Sequence, residues 1–286
     1  MTLDPRAEAQ RYELFKYPRT RHLESSRLQF GDSAHDQLAY RDLQGRHIVV
    51  EEKLDGANAA VSFSEAGELL LQSRGHYLTG GSRERQFSMF KQWAACHEAW
   101  LLDRLQDRYV MFGEVLSKTH SVFYDRLPHL FCEFDVYDRR SGRFLSTAAR
   151  TELLQGGPVL PVPVLYAGVA PRRLADLLDL VGPSLARSSQ WRERFVEAVQ
   201  REGHDRERAW ARLDKSEHME GLYLKIEDQA QTLERAKWVR ADFVQAIMEA
   251  GEHHLRQPYV GNGLAAGVDL YAPQPTVTWQ TLKEDC

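Results

Sequence analysis

Apolar and polar positions change rhythm several times along the chain. From His47 the run HIVVEE enters a charged turn at Lys53 to Gly56, which predicts a buried strand that ends at a site. The stretch Ala60 to Arg74, AVSFSEAGELLLQSR, predicts a hairpin with its turn near Glu65-Ala66-Gly67. Trp93, Cys96, Trp100, Leu101 and Leu105 fall near helical spacing, so residues 92–107 predict an amphipathic helix. Residues 109–116 and 130–138 are strand-like. From Ser146 to about Lys215 the pattern is mostly helical. Thr147 suits a helix cap there, and Pro171 suits a first turn ahead of the stripe Leu174, Leu177, Leu178 and Val181. Trp191, Phe195 and Val199 mark another helix. Residues 220–227 and 233–240 return to strand character and are expected to pair. Asp242 suits the cap of a last helix reaching about Ala250, and the Gly- and Pro-rich stretch from Gln257 reads as an extended tail. Strands, then a helical block, then strands again predict an α+β fold rather than regular βαβ units.

The opening departs from any period. Tyr12 to Asp32 is rich in Arg, Pro and aromatic residues and reads as an arm laid over a domain. The expected organisation is an arm over 1–46, one domain over 47–243, and a short helix and tail over 244–286. The sequence has 286 residues, with 43% hydrophobic and 27% charged, the balance of a globular enzyme. No apolar run is long enough to span a bilayer, and Asp4, Glu8 and Glu13 occupy a start that has no apolar h-region, so a cytoplasmic protein is expected. Cys96, Cys132 and Cys286 are far apart and form no CxxC pair, which favours isolated thiols over a zinc site. The formal net charge is −4, which excludes a protein that coats nucleic acid through bulk positive charge. Nucleic acid, if handled, would be held by a local basic groove and released by salt.

The chemistry begins at Glu52-Lys53-Leu54-Asp55-Gly56, followed by Asn58. A lysine at a strand end is suited to nucleophilic work, but its amine attacks only when neutral, so nearby cations or a metal must lower its pKa. Gly56 lets the backbone approach a ligand closely. Alone, a KxDG pattern fits a salt-bridged turn as well. Further along stand Ser73-Arg74-Gly75, Phe112-Gly113-Glu114, Phe134-Asp135-Val136, Glu220-Gly221-Leu222-Tyr223-Leu224-Lys225 and Arg235-Ala236-Lys237.

In this order the segments resemble the motif series of the covalent nucleotidyltransferases: ATP-dependent DNA ligases, RNA ligases and mRNA capping enzymes. Within that group the chain looks most like the RNA ligase 2 family. Asn58, five residues after the lysine, carries that likeness, as do Tyr124 and Leu127-Pro128. Arg235 departs from it, since the family commonly has lysine there, and arginine cannot supply a proton.

The resemblance implies a nucleotidyltransferase domain with antiparallel sheets around an ATP cleft. It implies that Lys53 attacks the α-phosphorus of ATP and holds AMP. Phe134 would stack on adenine. Glu52 would accept from the adenine amino group, while Arg74 and Glu114 hold ribose and phosphate. Asp55 and Gly56 shape the same pocket. Lys237 and Arg235 would offset charge on the α-phosphate. Glu220, with Glu114 and Asp55, would hold Mg²⁺ or Mn²⁺ directly or through water. Asn58 would act in sealing, and Lys225 reads as a supporting cation or a solvated strand residue. The implied substrate is RNA with 5′-phosphate and 3′-hydroxyl ends, as in RNA repair, with an end-healing kinase or phosphatase as a possible partner and no membrane.

The residues by themselves also fit plainer roles. Glu114 and Glu220 fit surface ion pairs, and Phe134 fits plain core. The histidines, including His253-His254, show no metal spacing. Arg83, Arg85 and Lys91, with Phe87 and Phe90 between them, fit either a nucleic-acid contact or a solvated loop. Arg19 to Arg27, with His22, fits a segment closing over phosphates. Only ~45 residues follow the last motif, short for an appended OB-fold. That speaks against a DNA ligase and a capping enzyme. A minimal DNA ligase, and a fold that binds nucleotide or RNA ends without chemistry, stand as rivals.

Overall fold

The computed structural model describes residues 13–28, 37–243 and 259–284. Among the described residues eleven strands form one continuous sheet. They are β1 (Arg21–His22), β2 (His47–Glu52), β3 (Ala57–Phe63), β4 (Leu69–Ser73), β5 (Tyr109–Val115), β6 (Phe131–Asp138), β7 (Arg143–Leu145), β8 (Leu160–Pro161), β9 (Val164–Val169), β10 (Gly221–Glu227) and β11 (Gln231–Val239). The order is β4-β3-β5-β6-β7-β11-β10-β2-β9, with β1 beside β11 and β8 beside β6. Every pairing is antiparallel except β1–β11 and β6–β8. The α+β expectation holds, and the expected sheets are a single sheet of two wings. Three-residue β7 joins them, sharing two register pairs with each side.

Each wing has its own core. Against β3, β5 and β6 pack α1 (Ser88–Cys96) and α2 (Glu98–Leu105), through Phe90, Trp93, Leu101 and Leu105. The expected single helix over 92–107 is thus two, parted at His97, and Cys96 is exposed rather than part of the stripe. Under the other wing, Ile48, Val50, Leu222, Leu224 and Ile226 meet Leu177 of α4 (Leu174–Leu178). The stripe behind Pro171 is apolar as expected, but the helix begins at Leu174.

The block from 146 to 215 is less helical than its composition suggests. α3 (Thr147–Leu154) is capped by Ser146, whose hydroxyl accepts from Ala149 N, while Thr147 is already helical. Strand β9 then pairs with β2 at the sheet edge. Pro161 and Pro163 come just before it and lack donors, which suits an edge and hides the strand from pattern reading. α5 (Trp191–Arg201) and α6 (Arg206–Ala211) follow, with Trp191, Phe195 and Val199 buried as expected.

Residues 259–284 are not a loose tail. They run over the domain to α7 (Trp279–Glu284), where Val277, Trp279 and Leu282 join a core containing Leu54, Leu116 and Tyr124. Asp242 pairs with Arg240 at 2.9 Å; the helix expected after it, His253-His254 and Cys286 lie outside the described residues. Among the described residues no helix is long and apolar enough to cross a membrane.

Candidate active site

The two wings face each other across a cleft of about 610 Å³. That volume suits a mononucleotide-sized ligand. Lys53 leaves β2 with its backbone N–H donating to Gly221 O at 3.0 Å, so β10 fixes where the strand ends. Its Nζ donates to Glu220 Oε2 at 2.8 Å. From the other wing, Glu114 of β5 accepts from Gly56 N at 3.1 Å and stands opposite Asn58 of β3. Gly56 is needed for this approach: a Cβ there would lie 2.5 Å from Val115 O. The close contact is thus to a neighbouring strand, where the sequence suggested a ligand.

Burial dominates the electrostatics. It pushes Glu114 up to about 8, with Lys53 opposing and Glu220 and Asp55 reinforcing. Glu220 is likewise pushed up to about 7 by burial, against the pull of Lys53. Burial draws Lys53 down, but Glu220, Glu114 and Asp55 together carry it above its ordinary value. In this arrangement Lys53 is an ammonium group, the reverse of what a nucleophile requires.

Asp55, which the resemblance implied as a metal ligand, lines the cleft and also has a structural task. Its Oδ2 accepts Ser121 N at 2.6 Å and Val122 N at 2.8 Å, and its own N–H donates to Tyr124 Oη at 2.8 Å. It fastens the loop after β5 to the Lys53 turn. Among the described residues no group of three His, Cys, Asp or Glu side chains is placed to hold a metal ion. An ion here would rest on one or two carboxylates and take its remaining ligands from phosphate and water, the habit of Mg²⁺.

Phe134 reaches the cleft through a β-bulge. Phe112 pairs with Asp135 and Gly113 with Glu133, so Phe134 is the unpaired extra residue. A bulge of this kind re-aims a side chain. Its ring lies 5.3 Å from that of Tyr17 at 84°, and both line the cleft. Glu52 also lines it, 1% exposed; its carboxylate has no well-formed hydrogen bond, although the donors of Ser184 and Leu185 lie near it. Burial pushes it up to about 7, against weaker pulls from Ser184, Leu185 and Arg187. Asn58 Oδ1 is buried in the same unsatisfied state. Arg74 is an exposed residue on the rim, and Lys237, opposite Tyr223 in the sheet, completes the wall.

Two residues assigned from the sequence do not line the cleft. Lys225 is fully buried behind it, 3.0 Å from Glu51 and 3.1 Å from Asp135, and donates to the bulged Phe134 carbonyl. It is buried rather than solvated, and it does not line the cleft. Arg235 lies 3.7 Å from the centroid of Phe144 and pairs with Asp135 at 3.4 Å. Arg150 joins them, bonded to Glu51 and, at 2.5 Å, to Glu133. Three cations and three carboxylates thus interlock beneath Phe134. Arg150 carried no sequence signal.

The arm contributes otherwise than expected. His22 is buried in the β1–β11 pairing, bonded to Ser26 Oγ at 2.7 Å, while Tyr17, Pro18 and Thr20 line the cleft. Tyr17 Oη donates to Asp135 and stands 2.6 Å from Tyr223 Oη. Of the basic cluster at 83–91, Phe87 and Phe90 are core and Lys91 pairs with Glu84. Arg85 is exposed, 4.4 Å from the Tyr259 ring centroid, and does not line the cleft.

Fold and site together have the form of a nucleotidyltransferase. Within that class the chain belongs to the RNA ligase family, whose sequence model matches residues 46–239. No curated protein matches the sequence. Solved structures similar to it include a Naegleria gruberi RNA ligase mutant with ATP and Mn, at 20% identity and TM-score 0.47 over 70% of this chain and 51% of that one. Another is Naegleria gruberi RNA ligase with PPi, at 18% identity and TM-score 0.49 over 77% of this chain and 59% of that one. The chain spans little more than half the length of these proteins.

Proposed function

We propose that this chain is an ATP-dependent RNA ligase that carries AMP on Lys53, transfers it to an RNA 5′-phosphate and seals that end to a 3′-hydroxyl. The observation that carries the reading is Lys53 Nζ on Glu220 inside a mononucleotide-sized cleft that Glu114 and Phe134 line from the opposite wing. Phe134 stacks on adenine from its bulge. Glu52, whose buried oxygens lack a well-formed hydrogen bond, accepts from the adenine amino group. Arg74 holds ribose or phosphate at the rim. Lys53 forms the N–P bond to the α-phosphorus as the bond to pyrophosphate breaks, and Lys237 offsets the charge that grows on the phosphate. Asn58, on the sheet beside Glu114, positions the groups for sealing. Arg235 and Lys225 support this wall from behind.

Glu114 and Glu220 fit a divalent cation, with phosphate oxygens and water completing its shell. When bound, such an ion neutralises the carboxylates and the phosphate charge. Lys53 then loses the field that holds its proton and can attack as an amine. The first test is mass spectrometry of the protein after ATP and Mg²⁺. One AMP is expected on Lys53 and none on the Lys53→Ala variant. Labelling of that variant would end the reading. Sealing of matched nicks then decides the sugar: an RNA 3′-hydroxyl side is expected to seal faster, since its 2′-hydroxyl and A-form shape are local features. Faster sealing of an all-DNA nick would favour a minimal DNA ligase.

A further inference from the structure

The arm crosses from one wing to the other. At its start Gln72 of β4 donates to Phe15 O at 2.8 Å, and the Phe15 ring stacks on Tyr137 of β6 with centroids 3.8 Å apart. At its end Arg21 and His22 stand in register with Ala236 and Lys237 of β11, and Leu23 N donates to Lys237 O at 2.8 Å. Within the sheet, three-residue β7 is the join between the wings. A second tie between them therefore bears on how far apart they stand.

Between its two ends the arm enters the cleft. Tyr17 is buried edge-on against Phe112, Phe134 and Phe144, with centroids at 5.0, 5.3 and 5.7 Å. Its hydroxyl donates to Asp135 of β6. A tyrosine hydroxyl has one proton to give. With that proton given to Asp135, Tyr223 of β10, 2.6 Å away, is the donor to Tyr17. The Tyr223 proton is then spent as well, so Thr20 Oγ1 at 3.1 Å donates to Tyr223. The hydroxyls form one directed row, from Thr20 to Tyr223 to Tyr17 to Asp135, leading from the β10 wing to the β6 wing. The row ends on a carboxylate that is paired with Lys225 and Arg235, and a hydrogen bond to a charged group is stronger than one between neutral groups.

A ligand in the cleft meets both wings at once, Phe134 on β6 and Lys53, Glu220 and Lys237 on or beside β2, β10 and β11. The spacing of the wings decides whether ring and lysines reach it together. We propose that residues 15–23 are a strap across the wings, and that Tyr17 is the positioning residue through which the strap holds Phe134 at the spacing a nucleotide requires. Order that exists before the ligand arrives lowers the cost of binding. By linkage, a nucleotide that gains from the strap tightens it by the same factor.

The proposal rests on the nucleotide site of the ligase reading, and AMP labelling of the unaltered protein tests that reading by itself. Amide hydrogen exchange with and without ATP and Mg²⁺ needs no covalent step and tests the strap. Leu23 and Arg27 donate to Lys237 O and Val239 O, and neither lines the cleft. ATP is expected to slow exchange at both amides about fivefold to tenfold. Tyr17→Phe keeps the ring, removes the hydroxyl and leaves Asp135 its two cations. This variant is expected to melt close to the unaltered protein and to lose the ATP protection of Leu23 and Arg27. Its KM for ATP in labelling is expected to rise about fivefold to tenfold, the share of one hydrogen bond to a charged group, with kcat within about twofold. Thr20→Val removes the first donor of the row and is expected to raise KM by a smaller factor. An unchanged KM in both variants, or exchange at Leu23 and Arg27 that ignores ATP, would overturn the proposal. A fall in kcat at unchanged KM would overturn it too and place Tyr17 in the chemistry. Failed labelling with ATP protection intact would leave the strap standing and remove the ligase.

Discussion

At the scale of residues, the cleft is a set of carboxylates kept from water. An unfolded glutamate titrates near 4.5, whereas burial moves Glu114 up to about 8 and Glu220 up to about 7. The folded chain therefore keeps protons that the unfolded chain has released. Stability from these groups is full below about 4.5 and is lost as pH rises through about 8. The melting temperature of the ligand-free protein is expected to fall across that window, and Mg²⁺ is expected to restore part of it at the alkaline end by binding the ionised pair. Calorimetry at several pH values reads both effects. A melting temperature that climbs steadily with pH would contradict the assignment.

At the scale of elements, the decisive feature is the bulge in β6. It turns Phe134 out of the ladder, and Lys225 holds its carbonyl from the neighbouring strand. Lys225→Met would leave Glu51 and Asp135 short of a buried partner. Removing one member of a buried ion pair costs about 3–5 kcal/mol, and chemical denaturation should show a loss of that order. Because the bulge aims the ring proposed to face adenine, KM for ATP is expected to rise more than kcat falls. A stable variant with an unchanged KM would show that the bulge stands without its lysine. The motif Glu220 to Lys225 was plain in the sequence, but the role of its lysine was not. A strand pattern gives the face of a side chain, and the partner on that face comes from another strand.

At the scale of the whole molecule, the described parts of both flanks of the family match over 46–239 pack onto the matched domain. Phe15 stacks on Tyr137 with centroids 3.8 Å apart, and Tyr17 enters the cleft. At the other flank, Trp279 donates to Pro161 O at 2.7 Å and shares a core with Leu54, the residue between Lys53 and Asp55. Trp279→Ala is expected to cost about 3–5 kcal/mol, as for other buried aromatics, and to lower the rate of AMP labelling through Leu54. Urea unfolding and labelling measured together check this. Loss of neither would mean that the segment only rests on the surface.

The sequence by itself determined strands β2 to β6, β10 and β11, the hairpin at Gly67, and the order of Lys53, Arg74, Glu114, Phe134, Glu220 and Lys237. These follow from local rhythm and short motifs, which need no knowledge of distant neighbours. Only the tertiary structure decided which carboxylates meet Lys53, that Asp55 fastens a loop, and that Arg235 and Lys225 lie behind the cleft. It also decided that Tyr17 and Arg150 belong to the site's surroundings. Each of those roles depends on a partner remote in the chain: Asp135 is 118 residues from Tyr17, and Glu51 is 99 from Arg150. Burial and electrostatic fields arise only when such partners are brought together, and no single segment carries them.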